Sequence, residues 1–359
     1  MGKGRVLIIG QFPPPVHGLS AALQTIVESN YMNDKYLLQY IDIQNNRRFF
    51  NHIRNIQKKY EADLYYFTIS QSLFGNIRDM IILRTLLNKK KKVIIHYHGG
   101  YYKTLYGKMN ILQKKINKSL ISKIDTMVAL SEGLKKLFVD VISPEKVKVC
   151  ENYVENSSIS HETEFNQKIN SLISKPKLNV LYLSNFIKTK GYMDVLKAAS
   201  NLKDNSFVFH FAGAFFNEED KKEFFNFVNK NDLQNIVEYH GVVKGDKKKH
   251  LLMLADIFTL PTYYPNEGQP ISIIEAMSNG LTIITTHHAG IPDIVNENNG
   301  FIVDPMSPSA ISNCLDQLVK NREKLVDFAK NNRKVVLENY QEEHYIKRLD
   351  KIFDEALEG

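Results

Sequence analysis

Residues 261–290 read PTYYPNEGQPISIIEAMSNGLTIITTHHAG. The stretch opens on the end of an apolar strand, crosses a Gly/Pro loop carrying Glu267, and continues as an apolar helix carrying Glu275. Asn279-Gly280 then turns the chain into the β-branched run LTIITT. This is one strand, loop, helix, turn and strand unit. The alternation extends both ways, with LNVLYLSNF from 178, SFVFHFAGAF from 206, IVEYHGVV from 236, ADIFTLPT from 255 and GFIVDP from 300. Short apolar runs separated by amphipathic stretches build a parallel sheet covered on both faces.

A second series precedes it: VLIIG from 6, YLLQYIDI from 36, DLYYFTIS from 63, KVIIHYHGG from 92, TMVALS from 126 and VKVCENYV from 147. Between the two series runs the polar text ENSSISHETEFNQKINSLISKPK, read as a linker with a short helix. At 359 residues the chain exceeds what one core supports. The expectation is an α/β protein of two Rossmann-like, doubly wound domains, 1–165 and 175–340. The amphipathic end, with Tyr345, Leu349, Ile352 and Phe353 at helical spacing, forms a last helix over about 341–359. Ligands of open α/β sheets bind beyond the carboxyl ends of the strands.

Composition narrows the classes. No apolar run reaches the roughly 18 residues of a membrane helix, and the N-terminal run reads as a buried strand instead of a signal peptide. Cys150 and Cys314 are the only cysteines, too few for a disulfide framework or a cysteine metal site. A reducing cytoplasm is the expected compartment. Residues 1–150 carry 24 Lys+Arg against 10 Asp+Glu, a net +14, whereas the remainder carries 23 against 29, a net −6. One domain thus meets a polyanionic surface, either nucleic acid or an anionic membrane.

Pro270 reads as a first-turn proline, and Gly268 and Gln269 leave backbone amides free at the start of a helix. Such an N-terminus suits a diphosphate. Glu267 and Glu275 would repel phosphate, so vicinal hydroxyls are their natural partners. A diphosphate between two polyols is a nucleotide-sugar.

The segment PNEGQPISIIEAMSNGLTIITTHHAGIPDIVNENNGFIVDP resembles the donor-binding core of the family 4 glycosyltransferases, retaining enzymes of the GT-B fold. Glu267 and Glu275 keep that family's Glu, seven residues, Glu spacing. IIGQFPPPVHGLS, IIHYHGG, VALSEGLKKL and LYLSNFIKTKGYMDVLKA resemble further family elements, so the likeness covers nearly the whole chain. It implies two domains facing each other across a cleft, an acceptor-binding first domain, a donor-binding second one, and a last helix crossing back onto the first.

By resemblance, Glu275 holds the ribose hydroxyls and Glu267 the donor sugar, while Lys190 grips the donor phosphates. Gly268, Gln269 and Pro270 present the helix start. Gly18 lets backbone approach the diphosphate, and His98, selected over His96 by the adjoining Gly99, reaches the sugar near its reactive carbon. Asn185 stands where the family has arginine, so Lys190 and the helix N-terminus carry more of the leaving-group charge, with Lys188 as a helper. His287 and His288 are rejected as a metal pair, since neighbours on a strand point to opposite faces. No metal and no cofactor is expected.

The implied reaction is hexosyl transfer from a nucleoside-diphosphate sugar, UDP- in preference to GDP-, to a hydroxyl of a lipid-linked or glycan acceptor in bacterial surface polysaccharide synthesis. No carboxylate is marked as a nucleophile, which favours front-side attack over double displacement. NNRRFFNHIRNIQKKY from 45, NKKKKV from 88 and YYKTLYGKMNILQKKINKSL from 101 mix basic and apolar residues as a peripheral membrane enzyme would. Two alternatives stay open: a GT-B epimerase acting on a nucleotide-sugar, and a basic nucleic-acid-binding protein. No G-x-G-x-x-G follows the first strand, which disfavours a dehydrogenase.

Overall fold

The computed structural model describes residues 3–14, 18–202 and 206–358. The chain divides into two compact units, Met1–Asn152 with Glu342–Gly359, and Tyr153–Gln341. Each holds one six-stranded sheet whose neighbouring strands all run parallel.

The first sheet comprises β1 (Gly4–Gly10), β2 (Tyr36–Asp42), β3 (Leu64–Thr68), β4 (Lys92–His96), β5 (Thr126–Ala129) and β6 (Val147–Val149), in the order β2-β1-β3-β4-β5-β6. The terminal helix Glu342–Glu358 belongs to this unit and buries Tyr345, Leu349, Ile352 and Phe353. Phe353 packs its ring 5.4 Å from Tyr66 of β3 and 5.8 Å from Tyr36 of β2. Asp350 accepts from Tyr31 Oη at 2.7 Å, Lys35 Nζ at 2.7 Å and Tyr36 Oη at 2.8 Å, so the polar edge of the helix is tied down as firmly as its apolar face. Both cysteines are free and buried.

The second sheet comprises β7 (Leu178–Leu183), β8 (Phe207–Ala212), β9 (Val237–Gly241), β10 (Ile257–Leu260), β11 (Thr282–Thr286) and β12 (Gly300–Val303), in the order β12-β11-β10-β7-β8-β9. Strand order therefore reverses between β7 and β10, a topological switch point. Gly300 adopts φ 152°, and a Cβ there would lie 1.9 Å from the Ile283 carbonyl oxygen, so only glycine lets β12 join β11.

Residues 153–165, read as part of the first domain, pack in the second. Val154 N donates to Tyr340 O at 2.9 Å, and Phe165 and Ile169 enter the core of the second unit. The polar text hid them because only two large apolar side chains of the helix Glu162–Ser171 are buried. No helix among the described residues is long and apolar enough to cross a membrane.

Candidate active site

The loops leaving β7 and β10 meet at the switch point of the second sheet. The β7 loop, residues 184–191, ends on Gly191 in the left-handed region at φ 77°. A Cβ at that position would lie 2.5 Å from the Pro261 carbonyl oxygen, so glycine is what lets the two loops touch. Tyr263 N donates to Thr189 O at 2.8 Å and closes the contact.

Lys190 is placed by that contact. Its Nζ lies 3.4 Å from Glu267 Oε2 and 5.3 Å from the centre of the Tyr264 ring, with the side chain only 17% exposed. Glu267 is buried, and its Oε2 also accepts from Thr262 Oγ1 at 3.2 Å. Lys190 and Glu267, separated by 77 positions in the chain, thus form one charged pair.

Gly268 and Gln269 lead into the helix Ile271–Ser278. Pro270 is its N-cap, in extended conformation (φ −67°, ψ 115°), one position earlier than the first-turn place read from the sequence. The reason is local: Ile273 N already bonds to Pro270 O at 3.2 Å, so the helix begins after the proline. No side chain caps this N-terminus, which leaves amides and the positive dipole end for an anion. The loop is braced from outside. Gly290 N donates to Gly268 O at 2.9 Å and His288 Nε2 to Tyr264 O at 2.8 Å. His287 and His288 lie past the end of β11, not within a strand, and His288 serves as a brace.

Glu275 is buried within the helix, but it is not solitary as its apolar surroundings suggest. Lys248, from the helix Gly245–Leu254, donates to Glu275 Oε1 at 2.5 Å. Burial raises the Glu275 pKa, and Lys248 opposes that rise. Among the described residues no hydrogen bond engages Oε2. The C-terminal end of the same helix is locked by Asn279 Nδ2, which donates to Glu275 O and Ser158 O, both at 2.9 Å, and by Arg333 Nη1, which donates to Ser278 O at 2.9 Å. Lys248 sits in the run GDKKKH, where its neighbours Lys247 and Lys249 gave the sequence no way to single it out.

Asn185 is exposed at the start of the β7 loop, and its carbonyl accepts from Tyr182 Oη at 3.2 Å. Lys188 is engaged elsewhere, 2.9 Å from Glu223 and 3.5 Å from Asp220 of the helix Glu218–Lys230, so its charge is already met and it is no helper to Lys190.

In the first unit, His96 ends β4 fully buried, its Nδ1 2.5 Å from Tyr66 Oη. His98, two residues on, is half-buried, stacks at 3.9 Å on the His96 ring, and its carbonyl accepts from Gln71 Nε2 at 2.7 Å. Of the two histidines only His98 is partly exposed, and its Nε2 is buried. Gly18 is exposed and opens the helix Gly18–Glu28, while Pro15, Val16 and His17 of the preceding loop lie outside the described residues.

Residues 163–335, which contain Lys190, Glu267 and Glu275, match the family model of glycosyl transferases group 1. That segment, just under half of the chain, resembles the group 1 glycosyltransferases. The chain is 23% identical over 251 residues to the amylovoran biosynthesis glycosyltransferase AmsK of Erwinia amylovora, a match that covers 67% of this chain and 57% of that protein. It is 24% identical over 326 residues to the UDP-Gal:alpha-D-GlcNAc-diphosphoundecaprenol alpha-1,3-galactosyltransferase of Escherichia coli, covering 79% and 80% of the two chains. The Anabaena Alr3699/HepE structure in complex with UDP superposes with a TM-score of 0.78 at 15% identity, over 98% of this chain and 100% of that one. That likeness shows the GT-B fold.

Proposed function

We propose that this glycosyltransferase moves a sugar from a UDP-sugar, with retention, to a hydroxyl of a lipid-linked or glycan acceptor in bacterial surface polysaccharide synthesis. The observation that carries the reading is the convergence at one switch point of Lys190, Glu267 and an uncapped helix start, with Glu275 further along that same helix. Lys190 and the amides of the Ile271–Ser278 helix would take the diphosphate, Oε2 of Glu275 the ribose hydroxyls, and Glu267 the sugar. The UDP complex of the Anabaena neighbour and the UDP-Gal donor named for the Escherichia coli relative favour uridine. That relative's diphosphoundecaprenol acceptor favours a lipid-linked one.

In this reading the bond from the anomeric carbon to the donor phosphate breaks as the acceptor oxygen bonds on the same face. The acceptor proton passes to the departing phosphate oxygen. Lys190 and the helix dipole stabilise the charge developing there, and no metal is assigned to the step.

A panel of UDP-, GDP-, ADP- and TDP-sugars followed by thermal unfolding tests the donor. A ligand at about 100 times its Kd adds ~2.7 kcal/mol to stability, so the UDP-sugar is expected to shift the midpoint and the others little. Stabilisation by none of the four would sink the donor reading.

The acceptor half of the proposal rests on the first unit. The helices Leu73–Leu87 and Ile111–Ile121 enclose a groove of about 760 Å³ lined by Ile77, Met80, Ile81, Leu112 and Ile116. Phe74, Ile111 and Leu112 stand 87%, 75% and 67% exposed beside it, with Arg84, Lys115 and Lys118 at the surface of the same two helices. An apolar ridge rimmed by cations suits an anionic leaflet, each basic residue contributing about 1 kcal/mol. Flotation with vesicles containing phosphatidylglycerol is expected to carry the protein up, and an Ile111→Ser/Leu112→Ser variant to leave it behind. Equal flotation of the two would refute docking through this face.

A further inference from the structure

Among the described residues, one group of metal-ligating side chains converges away from the donor loops. His210 lies on β8 and Glu238 and His240 on β9, the edge strand of the second sheet. His210 and Glu238 are direct cross-strand partners, and His240 follows Glu238 by two positions. The register slips between Phe211 and Ala212, where Tyr239 and Gly241 are their partners, so His240 is the extra residue of a bulge. Residues two apart on a strand share a face, so Glu238 and His240 both lie on the side of His210. His210 Nδ1 is 3.0 Å from His240 Nε2 and 3.3 Å from Glu238 Oε2, and His240 Nε2 is 3.6 Å from Glu238 Oε2.

We propose that His210 Nδ1, His240 Nε2 and Glu238 form a divalent transition-metal site of the zinc type, pinning the edge strand β9 to β8. Tetrahedral zinc with ligand bonds of 2.0–2.2 Å separates its ligand atoms by about 3.3 Å, and the three observed separations bracket that value. The tautomer is set by an outer partner. His210 Nε2 lies 3.0 Å from Asn179 Oδ1, whose amide nitrogen points to Asp256, so Asn179 offers an acceptor and His210 carries its proton on Nε2. Its Nδ1 then presents a lone pair to the point that Glu238 Oε2, 3.3 Å away, and His240 Nε2, 3.0 Å away, also face. Imidazole, imidazole and carboxylate is a zinc donor set, and a carbonyl oxygen orienting the far ring nitrogen is the usual support for a ligating histidine. The sequence reading, alert to the adjacent pair His287 and His288, passed over three residues that a strand pairing brings together.

Tag-free, chelator-treated full-length protein titrated with Co2+ tests the site by its visible d–d absorption, with Zn2+ as competitor. One equivalent is expected to give tetrahedral bands that Zn2+ abolishes. His240→Ala and Glu238→Ala, both partly exposed and tolerable to the fold, should each lose the bands. Asn179→Leu should weaken binding by about 10–100-fold while keeping the stoichiometry. Absence of the bands in the parent protein overturns the proposal, as does an unchanged titration in His240→Ala.

Discussion

Lys190→Ala is expected to lower sugar transfer by about 10²–10³-fold, the typical loss when one preorganised group stabilising transition-state charge is removed, with little change in unfolding midpoint. The side chain is nearly enclosed, its only carboxylate partner among the described residues is Glu267 at 3.4 Å, and the helix N-terminus shares its loop system. Since Asn185 stands where the related family carries arginine, no second strong cation reinforces Lys190 on the β7 loop. Lys188→Ala supplies the contrast. Its ammonium is held by Glu223 and Asp220 at an exposed position, where an ion pair contributes only ~0–1 kcal/mol. Steady-state kinetics on the two variants separates them, and an equal loss of kcat in Lys188→Ala would remove the phosphate role from Lys190.

Glu275→Leu is expected to act twice, and a second substitution divides the effects. Removing the carboxylate strands Lys248, and breaking a buried ion pair costs ~3–5 kcal/mol, toward the lower end here because Lys248 is 22% exposed. Replacing both partners with apolar residues is often neutral, so Glu275→Leu/Lys248→Met should return most of the lost stability in a urea titration. Stabilisation by the UDP-sugar should be absent from the single and the double variant alike. If the double variant responds to the nucleotide like the parent, Glu275 is a structural partner of Lys248 and not a ribose ligand.

Much of the fold was legible because buried parallel strands write themselves as unbroken apolar runs. Eleven of the twelve strands described fall within the runs quoted from the sequence, β1 starting two residues before its run, and the terminal helix shows its buried stripe at Tyr345, Leu349, Ile352 and Phe353. The border between units was less legible. Phe165 and Ile169 decide where residues 153–165 pack, and two apolar side chains in a polar stretch are a weak signal beside a sheet core.

The sequence by itself determined the alternation of strands and helices, and the spacing of Glu267 and Glu275 in the segment that marks the family. Both are local: periodicity and spacing survive in one dimension. Only the tertiary structure decided what each charge faces. Strand order reverses between β7 and β10, so loops 77 positions apart join Lys190 to Glu267, while Lys248 reaches Glu275 from another helix and the pairing of β8 with β9 sets His210 beside Glu238 and His240. A charged side chain is silent about its partner in a sequence, because the energy of an ion pair depends on a distance in space that separation along the chain does not set.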